Sequence, residues 1–234
     1  MDVEDFLKKV VEGYLLHDLE SMAKVTTPPG TDGALGYSMM ATTLAGIELL
    51  GSLLLPNTDP YDPNKGNTYF LDYWDNYLVK EQPAYTGLGS LFRKLLRHGI
   101  AHIFVAKPGI FIEKGSGRRV TIDTTRQELY IDCNVFFDDF RKSYYNKVKP
   151  IIDRAAKSPL TNVSNMQSRF DSIIIVYLQD ANKAFSSLSN LDPSLNLVTS
   201  GISVANIKPT GASSASGYPS PAPTGVVFNY PPER

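Results

Sequence analysis

The sequence predicts a mainly α-helical bundle of about five helices that carries a small antiparallel β insertion. Three observations lead there. Apolar residues recur at intervals of three and four over most of the first 188 positions, as one face of a helix requires. That spacing gives way to short β-branched runs only between about residues 109 and 132. Pro and Gly clusters fall between the periodic segments rather than inside them. At 234 residues and 42% hydrophobic content, the chain is long enough to bury one good core.

Residues 2–24 place Phe6, Val10, Tyr14, Leu15, Leu19 and Met22 at helical spacing, and Pro28-Pro29-Gly30 stops the helix. A second helix is expected from Asp32, its N-cap, through Met39, Ile47 and Leu50 to Pro56. Its run of 44–55 is the most apolar in the chain. Glu48 inside that run would be penalised at the centre of a bilayer, so it predicts a buried core helix rather than a membrane span. Residues 57–68 read as a turn-rich loop before a short aromatic helix over 70–79, and Pro83 separates this from a helix over 88–105. There Leu91, Leu95, Ile103 and their neighbours are expected to face the core. Short runs at Ile110, Arg119 and Leu129 are expected to form two or three antiparallel strands. Helical spacing returns over 135–156 and 161–188.

From about residue 190 the composition turns to Ser, Pro, Ala and Gly, which cannot bury enough apolar surface to order itself. The chain is therefore divided into a helical domain, 1–189, and a low-order tail, 190–234. If the tail docks, Tyr218, Phe228 and Tyr230 are its anchors.

A net charge of -1 argues against coating duplex DNA through bulk electrostatics. Cys133 is the only cysteine, which excludes an intrachain disulfide and a cysteine-rich zinc module. It reads as a small buried hydrophobe. The start, Met1-Asp-Val-Glu-Asp5, lacks the basic flank and apolar stretch of an export signal. A cytoplasmic protein with no membrane association is expected.

Charge is nevertheless segregated. Between Thr86 and Lys107 lie Arg93, Lys94, Arg97 and Lys107 without a single acid, and Arg97-His98-Gly-Ile-Ala-His102 holds two of the three histidines. On a regular helix His98 and His102 share a face, while Arg97 and His102 lie about 140° apart. Two histidines at this spacing can share a metal ion, but no Glu stands between them as a general base, and only His17 remains as a further histidine. Phosphate chemistry without metal fits better. An imidazole moves protons near neutral pH, and a guanidinium grips a phosphoryl group with two parallel hydrogen bonds. Attack of a ribose 2′-hydroxyl on its own 3′-phosphate needs both, and two copies of the helix across a two-fold axis would double the supply.

The motif Arg97-His98-x-x-x-His102 resembles the Arg-polar-x-x-x-His motif of HEPN domains, all-α bundles found in RNases of toxin–antitoxin, phage-defence and CRISPR-associated systems. Gly46-Ile-Glu-Leu-Leu-Gly51, Phe70-Leu-Asp-Tyr-Trp-Asp-Asn-Tyr-Leu78 and the segment from Leu91 to His102 followed by Ala106-Lys-Pro resemble uncharacterised bacterial HEPN-like proteins in order and spacing, over about residues 1–188. The resemblance implies a metal-independent endoribonuclease without a cofactor, acting as a homodimer on RNA, with an antitoxin as a possible partner. Arg97 would bind the scissile phosphate, His102 would act as acid and base, and His98 would orient the two. The β insertion and the tail are departures from the minimal bundle, and some members of the family bind nucleotide or protein without cleaving.

Each of these residues also has a plainer role open to it. His102 could be a core histidine bonded to a carbonyl. Glu48 either pairs with Arg97 or a histidine as an orienting group, or reaches solvent at a helix edge. Arg93 and Lys94 either form a solvated face or track an RNA backbone. Tyr73-Trp74, Phe136-Phe137 and Tyr144-Tyr145 could stack bases, although core packing explains them as well. His17 is assigned a surface or packing role.

Overall fold

The structure, a computed structural model, describes residues 2–26, 35–55, 59–97, 100, 108–151 and 162–186. The expectations for Asp32, His98, His102, Ile103, Lys107 and the 190–234 tail lie outside the described residues. The chain divides into two compact units, residues 2–172 and residues 173–234 with Met1. In the latter, residues 173–186 are α-helical.

Six helices occur among the described residues. α1 (3–24) starts at Asp2, whose carboxylate accepts the Asp5 N–H at 2.7 Å, and passes through wide i→i+5 turns over Leu7–Leu16. The buried positions are Val3, Leu7, Val11, Leu16 and Leu19; of the apolar residues the sequence marks, Leu19 is among them, Phe6, Val10, Leu15 and Met22 are half-buried, and Tyr14 is exposed. Between Leu7 and Leu16 the steps of four and five follow the wider turn.

α2 (Gly36–Leu54) is long and apolar enough to cross a membrane by length and composition, yet it is packed inside the bundle. Met39, Leu44, Ile47 and Leu50 are fully buried. Two glycines let neighbours approach it. A Cβ on Gly46 would lie 2.8 Å from a Leu15 methyl, and one on Gly51 would overlap the backbone carbonyl of Tyr69. α3 (66–81) begins four residues before the expected aromatic helix, after the Pro63–Lys65 turn capped by Asp62. α4 (89–97) follows the Pro83–Tyr85 turn.

Trp74 of α3, Tyr85, Phe92 of α4 and Phe136 pack ring to ring, with Trp74 and Phe92 4.8 Å apart. Phe136 belongs to α5 (133–151), whose N-cap Asp132 accepts the backbone N–H groups of Asn134 and Val135. Within residues 2–172, α6 (Asn162–Ser186) contributes Met166, Arg169 and Phe170 to the core. The buried Arg169 donates from Nε to the carbonyl of Ser52 at 2.5 Å and from Nη1 to that of Asp59 at 2.8 Å, so a cation sits at the negative end of α2.

The β insertion is mixed rather than antiparallel. β1 (Ile110–Glu113), β2 (Thr121–Asp123) and β3 (Glu128–Asp132) lie in the order β1-β3-β2, with β3 antiparallel to β2 but parallel to β1. The chain leaves β1 through Gly115 and Gly117, both at positive φ, crosses to the far edge as β2, and turns back at Gln127 to fill the centre. A strand that returns to the middle after one hairpin must run parallel to its starting neighbour. Sequence periodicity reports strand existence and is blind to this order.

Candidate functional site

α4 turns Phe92 and Leu96 inward, neighbours of the expected Leu91 and Leu95, and Ile100 is buried as well. Leu91 is only half-buried. With the inward residues spaced by four, the positions just after them, Arg93 and Arg97, align one turn apart at the edge of the core. α2 packs against this edge and brings up Glu48.

Glu48 Oε2 lies 3.3 Å from Arg97 Nε, an ion pair in which the side chains remain about a quarter exposed, 26% for Glu48 and 28% for Arg97. The two paired atoms are themselves shielded from solvent. The other carboxylate oxygen of Glu48 stands over the N-terminus of α3. A Cβ on Gly66 would lie 2.6 Å from Glu48 Oε1 and 3.3 Å from Arg93 Nη2. One carboxylate thus lies beside the Arg97 guanidinium, the nearby Arg93 and the first residue of α3. Glu48 is thus paired with Arg97 and at the same time partly exposed at the helix edge.

Two cations against one carboxylate leave the cluster net positive, and the exposed Lys94 adds to it. The two facing atoms of Glu48 and Arg97 make no hydrogen bond, so the contact is one of charge, and the forked N–H groups of a guanidinium so placed suit a tetrahedral anion. Arg93, Arg97 and Glu48 are therefore brought to one edge between α2, α3 and α4, and Lys94 is exposed on the same helix. Among the described residues no three His, Cys, Asp or Glu side chains gather as metal ligands do.

The aromatic pairs considered for base stacking sit elsewhere. Tyr73, Trp74, Phe136, Phe137 and Tyr144 are buried in the core, and of that set only Tyr145 is exposed. Their number is explained by the ring cluster around Trp74. Cys133 is buried, with its Sγ 3.9 Å from Met39 Sδ, and burial pushes its thiol up to about 11. His17 is exposed on α1.

A second polar cluster escaped the sequence reading. Asp139 of α5 is almost fully buried and accepts the Tyr85 hydroxyl at 2.9 Å and Arg119 Nε at 2.7 Å. Burial, and then the Asp139 charge, push the Tyr85 hydroxyl well above its ordinary range. With its donors in place Asp139 fastens the β insertion to the bundle. The available signal was an acid inside the run Phe136-Phe-Asp-Asp-Phe140, on a helix that cannot keep every position of that run wet.

In comparisons with protein-family models, curated proteins and solved structures, none matches this chain.

Proposed function

We propose that the protein is a HEPN-like, metal-independent endoribonuclease, active in the cytoplasm as a homodimer and serving as a toxin or defence effector. The observation that carries this reading is the Glu48–Arg97 pair at 3.3 Å beside Arg93. A guanidinium that is both oriented by a carboxylate and still partly exposed is what binding a scissile phosphate demands. In this reading Arg97 neutralises the phosphoryl oxygens, His102 takes the proton of the attacking 2′-hydroxyl and passes one to the departing 5′-oxygen, and His98 orients them. Glu48 acts as a positioning residue for Arg97, while Arg93, Lys94 and Lys107 follow the RNA backbone.

The test is cleavage of labelled single-stranded RNA by the purified protein in EDTA. Products ending in 2′,3′-cyclic phosphate are expected, with no activity in His102→Ala. Arg97→Lys keeps a cation beside Glu48, and so keeps the fold, but should lower cleavage by about a hundredfold or more. Intact RNA under all these conditions would overturn the proposal.

A second reading is a non-catalytic HEPN-like module that binds nucleotide or a protein partner such as an antitoxin. It draws on the same ion pair, since Glu48 offsets part of the charge that a transition state would use. Arg97-dependent nucleotide binding without cleavage would select it.

A further inference from the structure

Away from the Glu48–Arg97 edge, α3 and the end of α5 border a cavity of about 410 Å³ lined by Asp72, Asn76, Tyr77, Lys80, Lys147 and Ile151. Tyr77 and Ile151 also line a smaller recess of about 90 Å³, whose other walls include Leu53, Leu54, Leu55 and Met166. A polar chamber and a mainly aliphatic one thus share two side chains. Tyr77 stands eleven residues along α3 from Gly66, the residue that Glu48 approaches. That is about 16 Å of helical rise, so the cavity is a separate place from the arginine edge.

The polar chamber carries a balanced pair of charges. Asp72, Asn76 and Lys80 follow one another at intervals of four on α3. Asn76 Nδ2 donates to Asp72 Oδ1 at 3.0 Å, and Lys80 Nζ donates to Asn76 Oδ1 at 3.4 Å, both on the exposed side. Lys147 is drawn to Glu81 at 3.6 Å, and Glu81 also accepts Asn146 Nδ2 at 2.9 Å. Among the described residues lining the cavity, this leaves one acid, Asp72, opposite one base, Lys80, across a neutral amide. Asp72 is short of donors. Its Oδ2 is shielded from water with no hydrogen-bond partner among the described residues, and burial, against the Asn76 hydrogen bond, pushes its carboxyl upward. Further out, Asp75 and Arg169 act on it with opposite sign. A simple anion would be repelled at the Asp72 end and a simple cation at the Lys80 end, whereas a zwitterion suits both.

We propose that this cavity binds a free α-amino acid with an aliphatic side chain. The ligand ammonium meets Asp72, its carboxylate meets Lys80, and its side chain enters the recess walled by Leu54, Leu55 and Met166. The Asn76 amide already spans Asp72 and Lys80 with one donor and one acceptor. An α-ammonium beside an α-carboxylate offers the same order at charge-assisted strength, and Asn76 is exposed and free to swing aside. Tyr77 is steadied as the wall common to both chambers by stacking on Tyr73, with ring centroids 5.3 Å apart. The assignment draws nothing from the nuclease reading.

The test is calorimetric titration of the full chain with L-leucine and L-methionine. Saturable binding is expected for at least one of them. N-acetyl-leucine lacks the ammonium, leucinamide lacks the carboxylate and glycine lacks the side chain, and each should bind more weakly by about tenfold or more. Asp72→Asn and Lys80→Gln should each weaken the bound amino acid by a similar factor, with an unchanged thermal midpoint as the check on folding. Should Asp72→Asn alter the melt, Lys80→Gln decides, because Lys80 is exposed. No binding of either amino acid at millimolar concentration would overturn the assignment. So would equal binding of leucine and N-acetyl-leucine, or an affinity unchanged by Lys80→Gln. RNA cleavage reads the arginine edge alone, so the two readings fail separately.

Discussion

Acids inside apolar helices are costly unless something meets them, and two among the described residues, Glu48 and Asp139, are met in different ways. Glu48 lies within Ile47-Glu-Leu-Leu50 and Asp139 within Phe136-Phe-Asp-Asp-Phe140. Their environments separate them. Asp139 is nearly inaccessible and closes short hydrogen bonds with Tyr85 and Arg119, so its role is to hold elements together. Glu48 stays partly exposed beside two arginines, so its charge is available to shape a binding edge. Asp139→Ala should strip the buried Tyr85 hydroxyl of its acceptor and release Arg119. Urea unfolding is expected to register a loss of about 2 kcal/mol. An unchanged midpoint would mean that the insertion is held by its apolar face alone. That an acid in such a run needs a partner was legible in the sequence. Which arginine or tyrosine supplies it was not, because Tyr85 and Arg119 stand 54 and 20 positions away from Asp139.

At the scale of elements, close approach between helices is set by glycines whose neighbours belong to other segments. Gly51 allows α2 to touch the Tyr69 backbone on α3, and rigid main chain cannot yield as a side-chain tip would. Gly51→Ala should therefore destabilise the fold by about 2–3 kcal/mol. Gly13 is the contrast: it is exposed on α1, and an added Cβ would meet nothing nearer than 3.4 Å. Gly13→Ala should raise stability by about 0.5–1 kcal/mol, through a less flexible unfolded chain and better helix propensity. Paired thermal melts check both; the same sign in the two variants would refute the packing argument. Spacing located these helices well, and the wide turns within them set which apolar positions are most deeply buried. On α4 Phe92 and Leu96 turn inward, and Arg93 and Arg97 come to the edge met by Glu48.

For the molecule as a whole, alkaline pH should be the limit of stability. Tyr73, Tyr85 and Tyr144 are buried and their hydroxyls are pushed upward, chiefly by desolvation, with the acceptor carboxylates of Asp139 and Glu12 adding to it for Tyr85 and Tyr144. The Cys133 thiol moves the same way, from 9.0 to about 11. Each group is neutral when protonated and keeps its proton longer in the fold than in the open chain. Above the ordinary values the unfolded state binds fewer protons than the folded one, so stability falls as pH rises from about 9. The urea midpoint should decline steadily from pH 9 to 11, and Tyr144→Phe should shallow that decline. A midpoint that holds level across this range would contradict the burial of these groups.

The sequence by itself determined the mainly helical character, the place of the β insertion, the apolar nature of the second helix and the local excess of cations before Lys107, because all of these follow from the order of residue types along a few turns. Tertiary structure alone decided that Glu48 finds Arg97, that Asp139 binds Tyr85 and Arg119, that the sheet is mixed, and that Phe111 and Tyr130 form an outward stack. Those outcomes depend on distances between residues far apart in the chain, and periodicity carries no information about which distant faces meet.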